Sequence, residues 1–170
     1  MHLFADFTRA AAGIVREGRN VPARIAHQLV SLLGDPDLVP GALREPADSY
    51  KQSILYVEPE GLFSVVALTW GPRQATPVHD HICWCVVGIY EGSEREEIYL
   101  PSGTGLGDLD RVVEHRTGEV YWHDTDAPNI HRVSNPAIEL AISIHVYGAD
   151  IRKFGTSIRR CYPVARTLVP

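Results

Sequence analysis

No stretch of the sequence approaches the roughly 18 consecutive apolar residues that a membrane-spanning helix requires, so a helical membrane protein is excluded. The opening residues, MHLFADFTRAAAGIVREGRN, carry Asp6, Arg9, Arg16 and Glu17 within their apolar pattern, and no signal peptide is expected. Cysteine is scarce. Cys83, Cys85 and Cys161 are odd in number and too few for a disulfide scaffold, so the expected setting is reducing and cytoplasmic. Basic residues are in the minority: 16 Lys and Arg against 21 Asp and Glu leave a net charge of -5. That is the wrong sign for a nucleic-acid binder, which must neutralise phosphates. Internal repeats and low-complexity segments are absent, and 45% hydrophobic with 22% charged residues excludes global disorder.

What is present is a turn-rich chain, with 14 Gly and 12 Pro in 170 residues, long enough for a single domain with its own core. Leu3, Phe4, Phe7, Ala11 and Ile14 recur at helical spacing, and Gly18 ends that pattern. A second helix follows Pro22, with Ile25, Leu29, Leu32 and Leu33 on one face and Gly34 as its stop. Residues 34–49 read as a connector. From Tyr50 the period becomes two: SILYVEP, LFSVVALTW, WCVVGIYEG, EREEIYL, RVVEHRTGEVYWH and IELAISIHVYG are rich in Val, Ile and Tyr and are punctuated by turn residues. A mainly β sandwich or barrel over 50–147, preceded by a helical segment over 1–34, is the expected architecture. Residues 150–170 give no clear pattern.

Eight histidines are present. His2, His27 and His115 need no special account, and His115, before a Thr-Gly turn, is expected to be solvated. His79 and His81 are different. On an extended chain a His-x-His pair puts both imidazoles on one face, a natural chelate for a metal. A third candidate, His131, lies in Asn129-Ile130-His131-Arg132-Val133-Ser134-Asn135, and a barrel can return it to the same spot. His123 with Asp124 and Asp126 is a rival cluster. Ser143, His145 and Tyr147 share one face of another strand, which suits a hydrogen-bonded row of hydroxyl, imidazole and phenol.

Together these residues resemble the cupin family. Gly71, His79, His81, Cys85 and Gly92 match its first motif, and Gly118, His131 and Asn135 its second. Cys85 stands where most cupins carry an acidic ligand, and the spacing after Gly71 is longer than usual. Within cupins that replacement resembles the thiol dioxygenases of the cysteine dioxygenase group, and Ser143-Ile144-His145-Val146-Tyr147 looks like their Ser-x-His-x-Tyr relay. The match runs from about Tyr50 to Tyr147. The resemblance implies an all-β cupin barrel, or jelly roll, with two N-terminal α-helices outside it. It also implies ferrous iron, Fe(II), on His79, His81 and His131, and a small thiol and O2 as reactants. Both oxygen atoms would end on sulfur as a sulfinate. Three neutral ligands leave a divalent cation its full charge, which favours an anionic thiolate, whereas two His and a carboxylate suit other oxygenase substrates.

The resemblance also bears on the substrate. An Arg in a Tyr-x-Arg stretch holds the substrate carboxylate in cysteine dioxygenases; the matching residues here are Tyr50-Lys51-Gln52. Gln52 offers neutral donors in place of a charged fork. A Gln there is similar to the bacterial 3-mercaptopropionate dioxygenases, so that substrate is favoured over L-cysteine or mercaptosuccinate. Arg73, Arg132, Arg152 and Arg159 are other sources of charge. Cys85 is either joined to Tyr147 by a thioether, as in animal relatives, or a small buried thiol. Two further readings stay open. One is another metal-dependent cupin enzyme, such as an isomerase, with Glu91, Glu94 or Glu96 turned inward. The other is a metal-free binding cupin. The sequence leaves the oligomeric state open.

Overall fold

The computed structural model describes residues 2–103, 105–125 and 129–163. Two helices, α1 (His2–Glu17) and α2 (Val21–Leu32), come first, followed by a 3-10 turn at Gly41–Leu43. Among the described residues ten strands follow: β1 (Lys51–Val57), β2 (Ser64–Trp70), β3 (Val78–His81), β4 (Cys85–Glu91), β5 (Ser93–Ser102), β6 (Gly105–Arg116), β7 (Val120–His123), β8 (Ile130–Ser134), β9 (Ala141–Tyr147) and β10 (Ile158–Tyr162). A one-turn helix, α3 (Ile151–Phe154), precedes β10. The strands form two antiparallel sheets, in the orders β1-β2-β9-β4-β7 and β10-β3-β8-β5-β6. No helix among the described residues is long and apolar enough to cross a membrane.

The near-continuous apolar character of β2, β4 and β9 has a physical cause. Both faces of this sheet are covered, so neither alternate set of side chains meets water. On one face, Val65, Ala67, Val86, Ile142, Ile144 and Val146 pack with Phe7, Ala11, Ile14, Ile25, Leu29 and Leu32 of the helices. On the other, Val66, Leu68, Trp70, Cys85, Val87, Ile89 and Tyr147 form a second cluster between the sheets. Gly88 marks where α2 lies against β4: a Cβ there would sit 2.9 Å from a Leu33 methyl and 3.0 Å from one of Leu29. Gly92, between β4 and β5, has φ 76°, and a Cβ would come within 2.9 Å of the Leu140 carbonyl oxygen. Only glycine fits that turn comfortably.

The two helices and the strands expected from the periodicity are present, but β3 and β8, which carry the three histidines, lie outside the expected runs, and two further differences appear. The run RVVEHRTGEVYWH is two strands, β6 and β7, separated by a turn through Gly118 at φ 88°. The tail without a clear pattern supplies β10, which pairs with β3 and sets Cys161 opposite His79. Its burial is confined to its ends, so its interior residues Arg159, Arg160 and Cys161 read as surface.

Candidate metal centre

Strand alternation puts His79 and His81 on one side of β3 and Asp80 on the other. Asp80 is buried and accepts from Arg159 at 2.6 Å and Tyr162 at 2.9 Å, which pins the strand from behind. The pairing of β3 with β8 sets His79 directly opposite His131. The three imidazoles therefore converge, and their donor atoms all lie within 4.8 Å of one another.

The outer nitrogen of each ring is engaged. His79 Nδ1 donates to the Pro77 carbonyl at 2.9 Å, and His131 Nδ1 donates to Glu96 at 2.6 Å. His81 Nδ1 meets the Ser157 hydroxyl at 3.1 Å. A carbonyl and a carboxylate only accept, so His79 and His131 carry their protons on Nδ1 and present bare Nε2 lone pairs inward. His81 Nε2 and His131 Nε2 stand 2.9 Å apart. Burial keeps all three neutral: it brings His79 down to about 4, holds His81 well below its ordinary value, and lowers His131 against the opposing pull of Glu96. Neutral imidazoles with converging lone pairs and outward hydrogen bonds are the donor set of a divalent-metal site, so the residues present fit a metal.

Behind His131 lies a cluster that the sequence reading missed. The donor atoms of Glu96, His123 and His131 also fall within 4.8 Å of one another. Glu96 is buried, with His123 Nε2 at 2.7 Å and His115 Nε2 at 3.3 Å. Burial would raise its carboxyl, but the imidazoles of His115, His123 and His131 set against it outweigh that and hold it well below the usual range. Glu96 thus braces His131 from outside. His115 is not solvated as expected: it stacks on Tyr121 at 3.8 Å and faces this carboxylate, because β6 covers β5 and pairs His115 with Glu94. Of the rival cluster, His123 belongs to the brace, Asp124 is exposed, and Asp126 lies outside the described residues. The signal available in the sequence was parity, since Glu94 and Glu96 share one face of β5. Glu91 does not turn inward; it is half-buried and 3.4 Å from Arg44.

A second buried row approaches the three histidines from β9. Ser143 Oγ and His145 Nε2 are 2.9 Å apart, and Tyr147 Oη and His145 Nδ1 are 3.1 Å apart. Trp70 Nε1 donates to Ser143 Oγ at 3.1 Å and closes the far end. Tyr147 packs near the His81 ring, with centroids 6.1 Å apart. Burial, reinforced by nearby Cys85, keeps its phenol protonated, and burial holds the His145 imidazole at about 3. Cys85 is directly opposite Tyr147 in the register of β4 and β9, and its Sγ is 3.8 Å from His145 Nδ1. Burial raises this thiol well above its ordinary value, so it stays neutral.

Both groups open on one cavity, whose wall includes Tyr50, Gln52, Ser157 and Tyr147. Among the described residues lining it, none is Lys or Arg. The four arginines considered from the sequence are placed elsewhere. Arg132 is 3.5 Å from Glu97, Arg152 2.9 Å from Asp150, and Arg159 2.6 Å from Asp80, while Arg73 is exposed. Asn135 serves the backbone: its Nδ2 reaches the carbonyls of Trp70, Gly71 and Glu139 at 3.3, 3.2 and 2.7 Å.

Comparison with known proteins agrees with this arrangement. An uncharacterized conserved protein with a double-stranded beta-helix domain from Klebsiella pneumoniae matches with a TM-score of 0.51 at 14% identity, over 64% of this chain and 85% of that one. A cupin superfamily protein from Desulfitobacterium hafniense matches with a TM-score of 0.52 at 8% identity, over 69% and 93%. At such identities the likeness concerns the fold alone, which is that of a cupin. The family model described as cysteine dioxygenase type I matches residues 44–156. That span holds all three converging histidines and the whole Ser143, His145 and Tyr147 row, and it makes this chain a member of the cysteine dioxygenase type I family.

Proposed function

We propose that this protein is an iron(II)-dependent thiol dioxygenase that converts a small thiol carboxylic acid and O2 to the sulfinic acid, with 3-mercaptopropionate favoured over L-cysteine. The observation that carries the reading is the opening of two buried arrays on one cavity: three neutral imidazoles, and a hydrogen-bonded row ending in a phenol. His79, His81 and His131 would hold the iron. Bound there, ferrous iron would lower the thiol pKa and bring thiolate and dioxygen together. The chain itself supplies orientation and exclusion of water. Tyr147, steadied by His145 and Ser143, offers a hydroxyl to a bound oxygen or carboxylate. Gln52 reaches the same cavity from β1 and offers an amide donor to the substrate carboxylate. With no Lys or Arg among the described lining residues, the substrate carboxylate meets the neutral donors of Gln52 in place of a charged fork, as the resemblance of Gln52 to the 3-mercaptopropionate dioxygenases implies.

The test is oxygen uptake by protein loaded anaerobically with ferrous iron, comparing 3-mercaptopropionate, cysteine, cysteamine and mercaptosuccinate. The expected order places 3-mercaptopropionate first, and His131→Ala abolishes uptake with all four. Gln52→Arg should shift preference toward cysteine. An unchanged order would remove the specificity argument and leave the dioxygenase reading intact.

A further inference from the structure

Glu96, His123 and His131 meet between the two sheets: Glu96 on β5 and His131 on β8 belong to one, His123 on β7 to the other. A single oxygen, Glu96 Oε1, lies 2.6 Å from His131 Nδ1 and 2.7 Å from His123 Nε2, and the three donor atoms fall within 4.8 Å of one another. The two short contacts differ in kind. That to His131 has hydrogen-bond geometry, whereas His123 Nε2 is buried and has no hydrogen-bond partner in spite of its closeness to the oxygen. The His123 ring thus presents a nitrogen to the carboxylate outside hydrogen-bonding alignment. Glu96 itself is buried, and its charge partners among the described residues are imidazoles alone. A buried carboxylate needs pairing or a cation, and here nitrogen donors converge on it with no Lys or Arg. The dioxygenase reading gives His123 no task.

We propose that Glu96 Oε1, His123 Nε2 and His131 Nδ1 form a second metal site, for zinc, with the His131 ring bridging it to the three-histidine site. His131 Nε2 faces His79 and His81, and its Nδ1 faces Glu96. Two His and one carboxylate are a donor set that zinc accepts. Tetrahedral ligands at zinc bond lengths of about 2.0–2.2 Å stand roughly 3.4 Å apart, so the two short contacts must open by less than about 1 Å. In the metal-free chain the Nδ1 proton of His131 occupies this place. Zinc takes its place and the proton leaves to solvent, so the ring becomes an imidazolate with a cation on each nitrogen. His115 Nε2, 3.3 Å from Glu96 Oε2, holds the other oxygen and leaves Oε1 for the metal.

The site has its own approach from outside. His123 borders a surface cleft with Asp110, Trp122 and Asp124, and the described residues lining that cleft include none that line the cavity of the three histidines. Asp110 is paired with Arg111 at 2.6 Å, so the exposed Asp124 sets the sign of charge at the cleft edge, which favours a cation. Three protein ligands leave a fourth position for water from the cleft. Bound there, zinc ties β7 to β5 and β8 and so fastens one sheet to the other.

The inference goes beyond the dioxygenase reading, and its test needs neither thiol nor iron. Full-length metal-free protein is dialysed against zinc and the bound metal is counted. Wild type should hold two zinc ions per chain. His123→Ala should hold one, and so should His123→Phe, which keeps a ring in the space; circular dichroism checks that both are folded. His81→Ala should still hold one, on Glu96, His123 and His131. The bridge has a separate signature, because two copper(II) ions joined through an imidazolate couple antiferromagnetically. In copper-loaded wild type the low-temperature paramagnetic resonance signal should be largely lost, and in His123→Ala it should account for all the bound copper. One zinc per chain in wild type, or two in both His123 variants, would overturn the site. A full signal from two bound coppers would overturn the bridge. Protein that oxidises no thiol yet binds two zinc ions, and one in the His123 variants, would refute the dioxygenase reading and support this site.

Discussion

The Glu96 carboxylate accepts the Nδ1 proton of His131 across 2.6 Å, and this contact decides which nitrogen His131 turns toward its two partners. Glu96 and His131 sit on neighbouring strands, β5 and β8, whose register places Ile98 opposite His131 and makes Glu96 its diagonal neighbour. Outer partners of this kind fix the tautomer of a ligating imidazole and raise its basicity. Glu96→Gln should therefore weaken metal binding by about 10- to 100-fold without unfolding the barrel. Calorimetric titration of the metal-free protein with zinc checks it; unchanged affinity would show that the carboxylate is only filling space.

Cys85 and Tyr147 oppose each other in register, close enough in the fold for a covalent link to be tested. If the thioether forms during turnover, the intact mass falls by two hydrogens, and Cys85→Ala abolishes the change. An unmodified mass after turnover identifies Cys85 as a small buried thiol that fills the space beside His145.

Acid should destabilise the metal-free protein. The folded state holds His145 at about 3 against an ordinary 6.5, and His79 at about 4. Below an ordinary histidine pKa the unfolded chain takes up protons that the folded state refuses, so stability is lost as pH falls from about 6.5 toward these values. Each such group contributes about 1.4 kcal/mol per pH unit over its window. Glu94 acts the other way, because its carboxyl is held at about 7 against an ordinary 4.5 and favours the folded state on acidification. Melting temperature should fall from neutral pH toward about 4, and fall more steeply in Glu94→Gln.

The helices hold the outer face of the β2-β9-β4 sheet. Leu29 is fully buried there, beside Gly88. Leu29→Ala should cost about 2–5 kcal/mol in chemical denaturation. Zinc affinity of the folded fraction should be unchanged, since the three histidines lie on the other sheet.

Much of this arrangement was legible in the sequence because parity is a strict rule on a strand. The common face of His79 and His81, and that of Ser143, His145 and Tyr147, required nothing beyond alternation. The meeting of His131 with His79 depends on the β3–β8 register, which only the cupin resemblance suggested. Partners set by long-range pairing were hidden. Glu96 reaches His131 through β5 and β8, and His115 reaches Glu96 through β6. Ser157 reaches His81 because the chain after α3 folds back as β10. Nothing in the surface-like residues Arg159, Arg160 and Cys161 announced a strand beside the three converging histidines.

The most direct test of the central claim follows both atoms of dioxygen. Iron-loaded protein is given 3-mercaptopropionate under isotopically labelled oxygen, and the product is weighed by mass spectrometry. The account predicts a sulfinate carrying both labelled atoms, one O2 consumed per product, and no product from His131→Ala. Iron bound once per chain with no labelled sulfinate from any thiol would contradict it.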